Sequence, residues 1–105
     1  MLRIYPVALL MVRDVRPIAD QIAKQDRDQA RQLMKSSLSV VNNLSEGSGN
    51  RKGTQTARFA DALGSARESL GNLEASAMAG YIEEISPELR NRFNHIIGVL
   101  VKLTR

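Results

Sequence analysis

Ser86-Pro87-Glu88-Leu89-Arg90-Asn91-Arg92-Phe93-Asn94-His95-Ile96-Ile97-Gly98-Val99-Leu100-Val101-Lys102-Leu103 decides the fold. Its opening is a full set of helix-start signals. Ser86 can cap, Pro87 suits the first helical position because its missing N–H has no partner to lose there, and Glu88 sets an acid by the positive helix end. Leu89, Phe93, Ile96, Leu100 and Leu103 then recur at intervals of four, three, four and three, with Ile97 alongside. A helix gathers those positions into one stripe, and this alternation is the seam of a helical bundle.

The preceding residues follow the same period. A third helix is expected from Thr54 to Ala79, with Phe59, Leu63, Ala66, Leu70, Leu73 and Ala77 on one face and Gly80 as its stop. It is crowded with small residues. A glycine inside a helix costs about 1 kcal/mol against alanine, so Gly64 and Gly71 suggest close approach by another helix, in this chain or a neighbour. A second helix is expected from Asp26, with Gln29 three residues on as in a capping box, to a stop at Gly47. Its buried stripe reads Ala30, Leu33, Met34, Leu38, Val41 and Leu44. The segment 47–54 holds three glycines and no apolar residue, which is loop composition. A first helix is expected from Pro6 to Ala23 on Val7, Met11, Val15, Ile18 and Ile22, bent near Arg13 by Pro17 but not broken. Four helices with short connections predict an all-α, antiparallel four-helix bundle occupying residues 1–105 as a single domain.

Composition narrows the chemistry. Hydrophobic residues make up 43% of the 105 and aromatics 4%, so the core must be aliphatic. With no cysteine, disulfides and thiolate metal sites are excluded. The apolar run from Ile4 to Val12 contains Pro6, is followed by Arg13-Asp14-Val15-Arg16 and is far shorter than the ~20 residues of a membrane span. A cytoplasmic protein without membrane attachment is expected. His95 is the only histidine, Glu83 and Glu84 are adjacent and so point to different helix faces or sit in a loop, and no serine sits in a nucleophile elbow. The expectation is no catalytic residue, no metal and no cofactor. The glycine loop is not a nucleotide-binding loop, because Lys52 precedes Gly53 and a helix rather than a strand leads into it.

Charge is the remaining signal. The net charge is +4, and residues 1–58 hold ten Lys/Arg against five Asp/Glu. Arg27, Arg31 and Lys35 fall at intervals of four, so they share one helix face. Like charges there repel, and Asp28 lies off the row. Extended by Arg51, Lys52 and Arg58, the row is a candidate set of phosphate contacts for RNA or DNA; it equally fits a solvated face.

Residues 36–82 also carry a resemblance. Ser39-Val40-Val41-Asn42-Asn43-Leu44-Ser45-Glu46-Gly47-Ser48-Gly49, then Ala62-Leu63-Gly64-Ser65-Ala66-Arg67-Glu68-Ser69-Leu70, then Gly80-Tyr81-Ile82 resemble, in order and distance, the hallmark segments of the bacterial four-helix-bundle family of 23S rRNA intervening sequences. The resemblance implies an antiparallel bundle that assembles as a homo-oligomer, by analogy a pentameric ring, with no established enzymatic activity. More distantly the chain is similar to the accessory variability protein of diversity-generating retroelements, a relative that binds nucleic acid. The residues themselves give the hallmark a structural reading. Glu46 stands against the negative helix end and needs a partner, for which Arg58 or Arg67 is placed, and Asn43, Glu46 and Gly47 would then fix the corner between helices two and three. Two functions remain open: a homo-oligomeric bundle that binds nucleic acid through a basic face, or a structural bundle that meets a protein partner with no nucleic-acid role.

Overall fold

Four helices account for nearly all of the chain: α1 (Ile4–Ala23), α2 (Arg27–Ser48), α3 (Lys52–Met78) and α4 (Pro87–Leu103). They are seen in a computed structural model that describes residues 2–105. Each helix packs against its two neighbours in a closed square, and the α2–α3 contact is the most extensive. Cross-helix bonds descend from Gln29–Ser76 through Ser36–Ser69 and Ser39–Ser65 to Glu46–Arg58, so α2 and α3 run antiparallel. Short connections at 24–26 and 49–51 keep the up-down order, and the result is the expected all-α bundle, with no strand among the described residues.

The helix ends obey local chemistry. Asp26 caps α2, its carboxylate accepting from the Gln29 backbone N–H at 3.0 Å. Ser86 caps α4 by accepting from the Leu89 N–H at 3.1 Å, with Pro87 first in the helix. Gly80 ends α3 with φ +83°, the left-handed conformation that glycine reaches without a Cβ penalty. The Tyr81 N–H then donates back to the Ser76 carbonyl and the Gly80 N–H to that of Ala77, a Schellman closure.

Several expectations need correction. α1 begins at Ile4, so Pro6 sits inside its first turn, where the N–H is still dispensable; as expected, the helix is not broken at exposed Pro17. Gln29 does not complete a capping box, because its amide crosses to α3 instead. α2 does not stop at Gly47 but continues to Ser48, and α3 starts at Lys52, which shrinks the expected loop to residues 49–51. Gly64 and Gly71 are exposed, and a Cβ on either would meet nothing within 4 Å, so neither serves close packing inside this bundle.

The core is aliphatic around Phe59 and Phe93, with Ile4, Met11, Val15, Ile22, Leu33, Val40, Leu44, Leu73, Ile96 and Leu100 buried. Ile82 and Ile85, in the connection to α4, cover its end. The α2 stripe is rotated from the expected one. Leu38 is 45% exposed and Met34 and Val41 only half-buried, while Ser36, Ser37 and Val40 turn inward. Serines face α3 because small side chains let two helices pack closely, and each hydroxyl finds a partner. Ser36 and Ser69 hydroxyls lie 2.7 Å apart, Ser37 donates to Ser69 at 3.3 Å, and Ser69 donates to the Ser65 carbonyl. No buried side-chain nitrogen or oxygen among the described residues lacks a partner. At the start of α2, Gln29 and Asn72 exchange side-chain amides for each other's backbone carbonyls, at 3.4 and 3.1 Å.

Candidate nucleic-acid interface and the α2–α3 corner

The row on α2 begins one residue past the Asp26 cap. Arg27, Arg31 and Lys35 are all exposed on the outer face, where the aliphatic stripe leaves the polar positions. At 1.5 Å per residue the three span about 12 Å along the axis. Arg31 pairs with Asp28 one turn back, so Asp28 compensates the row more than its sequence position suggested. No acidic partner is found for Arg27 or Lys35 among the described residues. Asp28 also accepts from Gln32 at 2.7 Å, which holds it on the surface beside Arg31.

The other three cations are not an extension of that row. Arg51 and Lys52 lie beyond the far end of α2, about 20 Å of helix from Lys35, and both are exposed. Arg58 belongs to the corner. Its guanidinium pairs with Glu46 at 3.0 Å and makes a long 3.5 Å contact to the Asn43 side-chain oxygen. The six basic residues therefore fall into two separate groups, with Arg58 already engaged.

Asn43, Glu46 and Gly47 come together on the first two turns of α3. Asn43 donates to the Ser39 carbonyl at 2.9 Å and hydroxyl at 3.0 Å, which orients its oxygen toward Arg58. Gln55 donates to the Gly47 carbonyl at 3.1 Å. Gly47 is buried, and a Cβ there would lie 2.6 Å from Cε1 and 2.9 Å from Cδ1 of Phe59. Only glycine fits. Gly64 stands apart from this clasp. The corner is thus a packing and hydrogen-bonding joint, and its ion pair is surface chemistry, with side chains 55% and 43% exposed.

Other polar features are spread out. His95 is exposed on α4. Arg92 bridges Asp14 of α1 and Glu88, joining α4 to α1, a pair not visible from spacing because 78 residues separate its members. A shallow groove of about 390 Å³ between α3 and the connection to α4 is walled by Leu73, Ala77, Met78, Ile85 and the Arg90–Glu74 ion pair. No group of three or more His, Cys, Asp or Glu able to hold a metal occurs among the described residues. No helix among the described residues is long and apolar enough to cross a membrane.

Sequence reasoning missed the inward serines, since serine carries no apolar signal. Their signal was present as the run Ser36-Ser37 opposite Ser65 and Ser69, at spacings that match across antiparallel helices.

Comparison with known proteins agrees with this architecture. The family described as 23S rRNA-intervening sequence protein matches residues 1–102. A crystal structure from Bacteroides thetaiotaomicron, of a protein of unknown function from the S23 ribosomal protein family, superposes with a TM-score of 0.81 at 16% identity, covering 97% of this chain and 98% of that one. At that identity the likeness concerns the fold. No curated protein matches the chain.

Proposed function

The chain belongs to the 23S rRNA-intervening sequence protein family, and from that premise we propose that it is a non-enzymatic, homo-oligomeric helical bundle that binds RNA or DNA through exposed basic residues. The observation that carries the reading is the row on α2: three cations one turn apart, all solvent-facing, two of them without an acidic partner. A rigid helix presents such a row at fixed spacing, which suits a repeating phosphate backbone, and phosphate contacts position a protein without reading sequence. Assembly follows the family resemblance, five subunits being the expected number. Leu9, Leu38 and Met78, exposed at 46%, 45% and 91%, are apolar surface that a neighbouring copy can cover. Repetition of the row around a ring would let weak single contacts act together.

The test is a salt titration of RNA binding, comparing the wild type with Arg27→Gln/Arg31→Gln/Lys35→Gln. Glutamine keeps helix propensity while removing charge. The triple variant is expected to bind more weakly and to show a flatter dependence on salt, because fewer condensed counterions are released. Equal binding would reduce the row to a solvated face. Failure of the wild type to bind at low salt would remove the nucleic-acid reading and leave a bundle that meets a protein partner. Light scattering that finds a stable monomer at micromolar concentration would remove the oligomer.

A further inference from the structure

The antiparallel topology sorts charge in a way that the linear sequence hides. One end of the bundle is built from the start of α1, the finish of α2, the start of α3 and the finish of α4. In that third of the molecule, residues 2–9, 42–58 and 97–105, there are six Lys/Arg and one acid, Glu46. The opposite third, residues 17–32 and 73–93, holds five Lys/Arg and seven acids. The whole excess of positive charge therefore sits at one end, although by sequence it belonged to the first half of the chain.

Glu46 is taken by Arg58. Arg3, Arg51, Lys52, Lys102 and Arg105 are all exposed, and none is in an ion pair among the described residues. They come from three separate segments. All five lie toward the same end of the 42 Å long molecule, where the α2–α3 turn reaches past the shorter α1 and α4, so that Arg51 and Lys52 stand on the order of 10 Å further along the axis than Arg3 and Lys102. Both helices that start there, α1 and α3, carry an arginine at the N-cap, no side-chain cap and no acid in the first turn. The two that start at the other end have both an oxygen cap and an acid. Five uncompensated cations gathered at one end of the bundle repel one another, and a polyanion relieves that repulsion.

We propose that this end face, formed by Arg3, Arg51, Lys52, Lys102 and Arg105, is the principal phosphate-binding surface of the protein and takes the backbone of an RNA or DNA strand. The proposal rests on the nucleic-acid reading above and moves its main site. The α2 row lies toward the net acidic end, where Asp28 already holds Arg31, and contributes the smaller share.

The experiment compares the full chain with two variants that each lose five positive charges. One is Arg3→Gln/Arg51→Gln/Lys52→Gln/Lys102→Gln/Arg105→Gln. The other is Lys24→Gln/Arg27→Gln/Arg31→Gln/Lys35→Gln/Arg67→Gln. All ten positions are exposed, and circular dichroism and light scattering check that helicity and assembly match the wild type. The probe is a labelled mixed-sequence single-stranded RNA of about 20 nucleotides, longer than the site of one small single-strand-binding module. The end variant is expected to lose about tenfold or more affinity beyond the charge-matched variant, and to flatten the log–log salt slope by roughly 3 to 4. If the wild type binds and the charge-matched variant loses as much affinity as the end variant, or more, the end face is overturned while nucleic-acid binding stands. If the wild type does not bind at low salt, the underlying reading fails, and the end face fails with it.

Discussion

Replacing Gly47 with alanine should destabilise the bundle, whereas the same change at Gly64 should stabilise it. Both glycines lie in helices, and both are equally conspicuous in the sequence. At Gly47 the new methyl would stand 2.6 Å from Cε1 of Phe59 and 3.2 Å from the Arg58 Cβ. Carbon atoms prefer separations of about 3.5–4.0 Å, so the ring must retreat by roughly 1 Å. Phe59 is 3% exposed and belongs to the buried core cluster, so its ring moves only against packed neighbours. Such overpacking costs about 1–3 kcal/mol, offset by at most about 1 kcal/mol of helix propensity. The net loss is about 1–2 kcal/mol. Gly64 meets nothing within 4 Å, so only the propensity gain of about 0.5–1 kcal/mol remains. For a chain of this size 1 kcal/mol moves Tm by about 4–8 °C. The assay is thermal and urea unfolding followed by circular dichroism, at one fixed protein concentration because an oligomer's stability depends on it. A Gly47→Ala variant as stable as the wild type would refute the close contact, and a destabilised Gly64→Ala would refute the open face.

Ser69→Ala should cost about 1–2 kcal/mol, because Ser36 and Ser37 both lose their partner across the helix pair; an unchanged urea midpoint would mean that the serine cluster is incidental. Glu46→Ala should cost less than about 1 kcal/mol, since its pair with Arg58 is solvent-screened. Arg92→Ala should cost about 1–3 kcal/mol, since Arg92 and Asp14 are only 19% and 24% exposed and join two helices. If unfolding measurements reverse the order of those two ion pairs, burial is not what sets their strength.

Much of the fold was legible because apolar spacing and end chemistry agreed. Ser86-Pro87-Glu88 and the Leu89–Phe93–Ile96–Leu100 seam stand as read, and so do the Asp26 cap and the Gly80 stop. Leu103, the last residue of that seam, is partly exposed at the helix end. The α2 stripe was misplaced because hydrophobicity outweighed size. A helix that packs tightly on another buries small polar residues, and Ser36 and Ser37 displaced Leu38 for that reason. Glycine was ambiguous for a related cause. Spacing identifies a helical glycine but not which atom faces it, so Gly64 was credited with the contact that Gly47 makes. That Glu46 needs an arginine partner followed from the helix dipole, and the fold selects Arg58 over Arg67. The end face did not follow, because Arg3, Arg51 and Lys102 reach the same end of the bundle only after the chain has folded back three times.

The most direct measurement of the central claim is the salt dependence of RNA binding by the unmodified protein, read by fluorescence anisotropy from low salt upward. Each phosphate contact to a single strand contributes about −0.7 to the slope of log affinity against log salt. The end face and the α2 row together predict tight binding at low salt and a slope of about −4 or steeper. No binding at low salt, or binding that does not change with salt, would contradict a protein that works through its exposed basic residues.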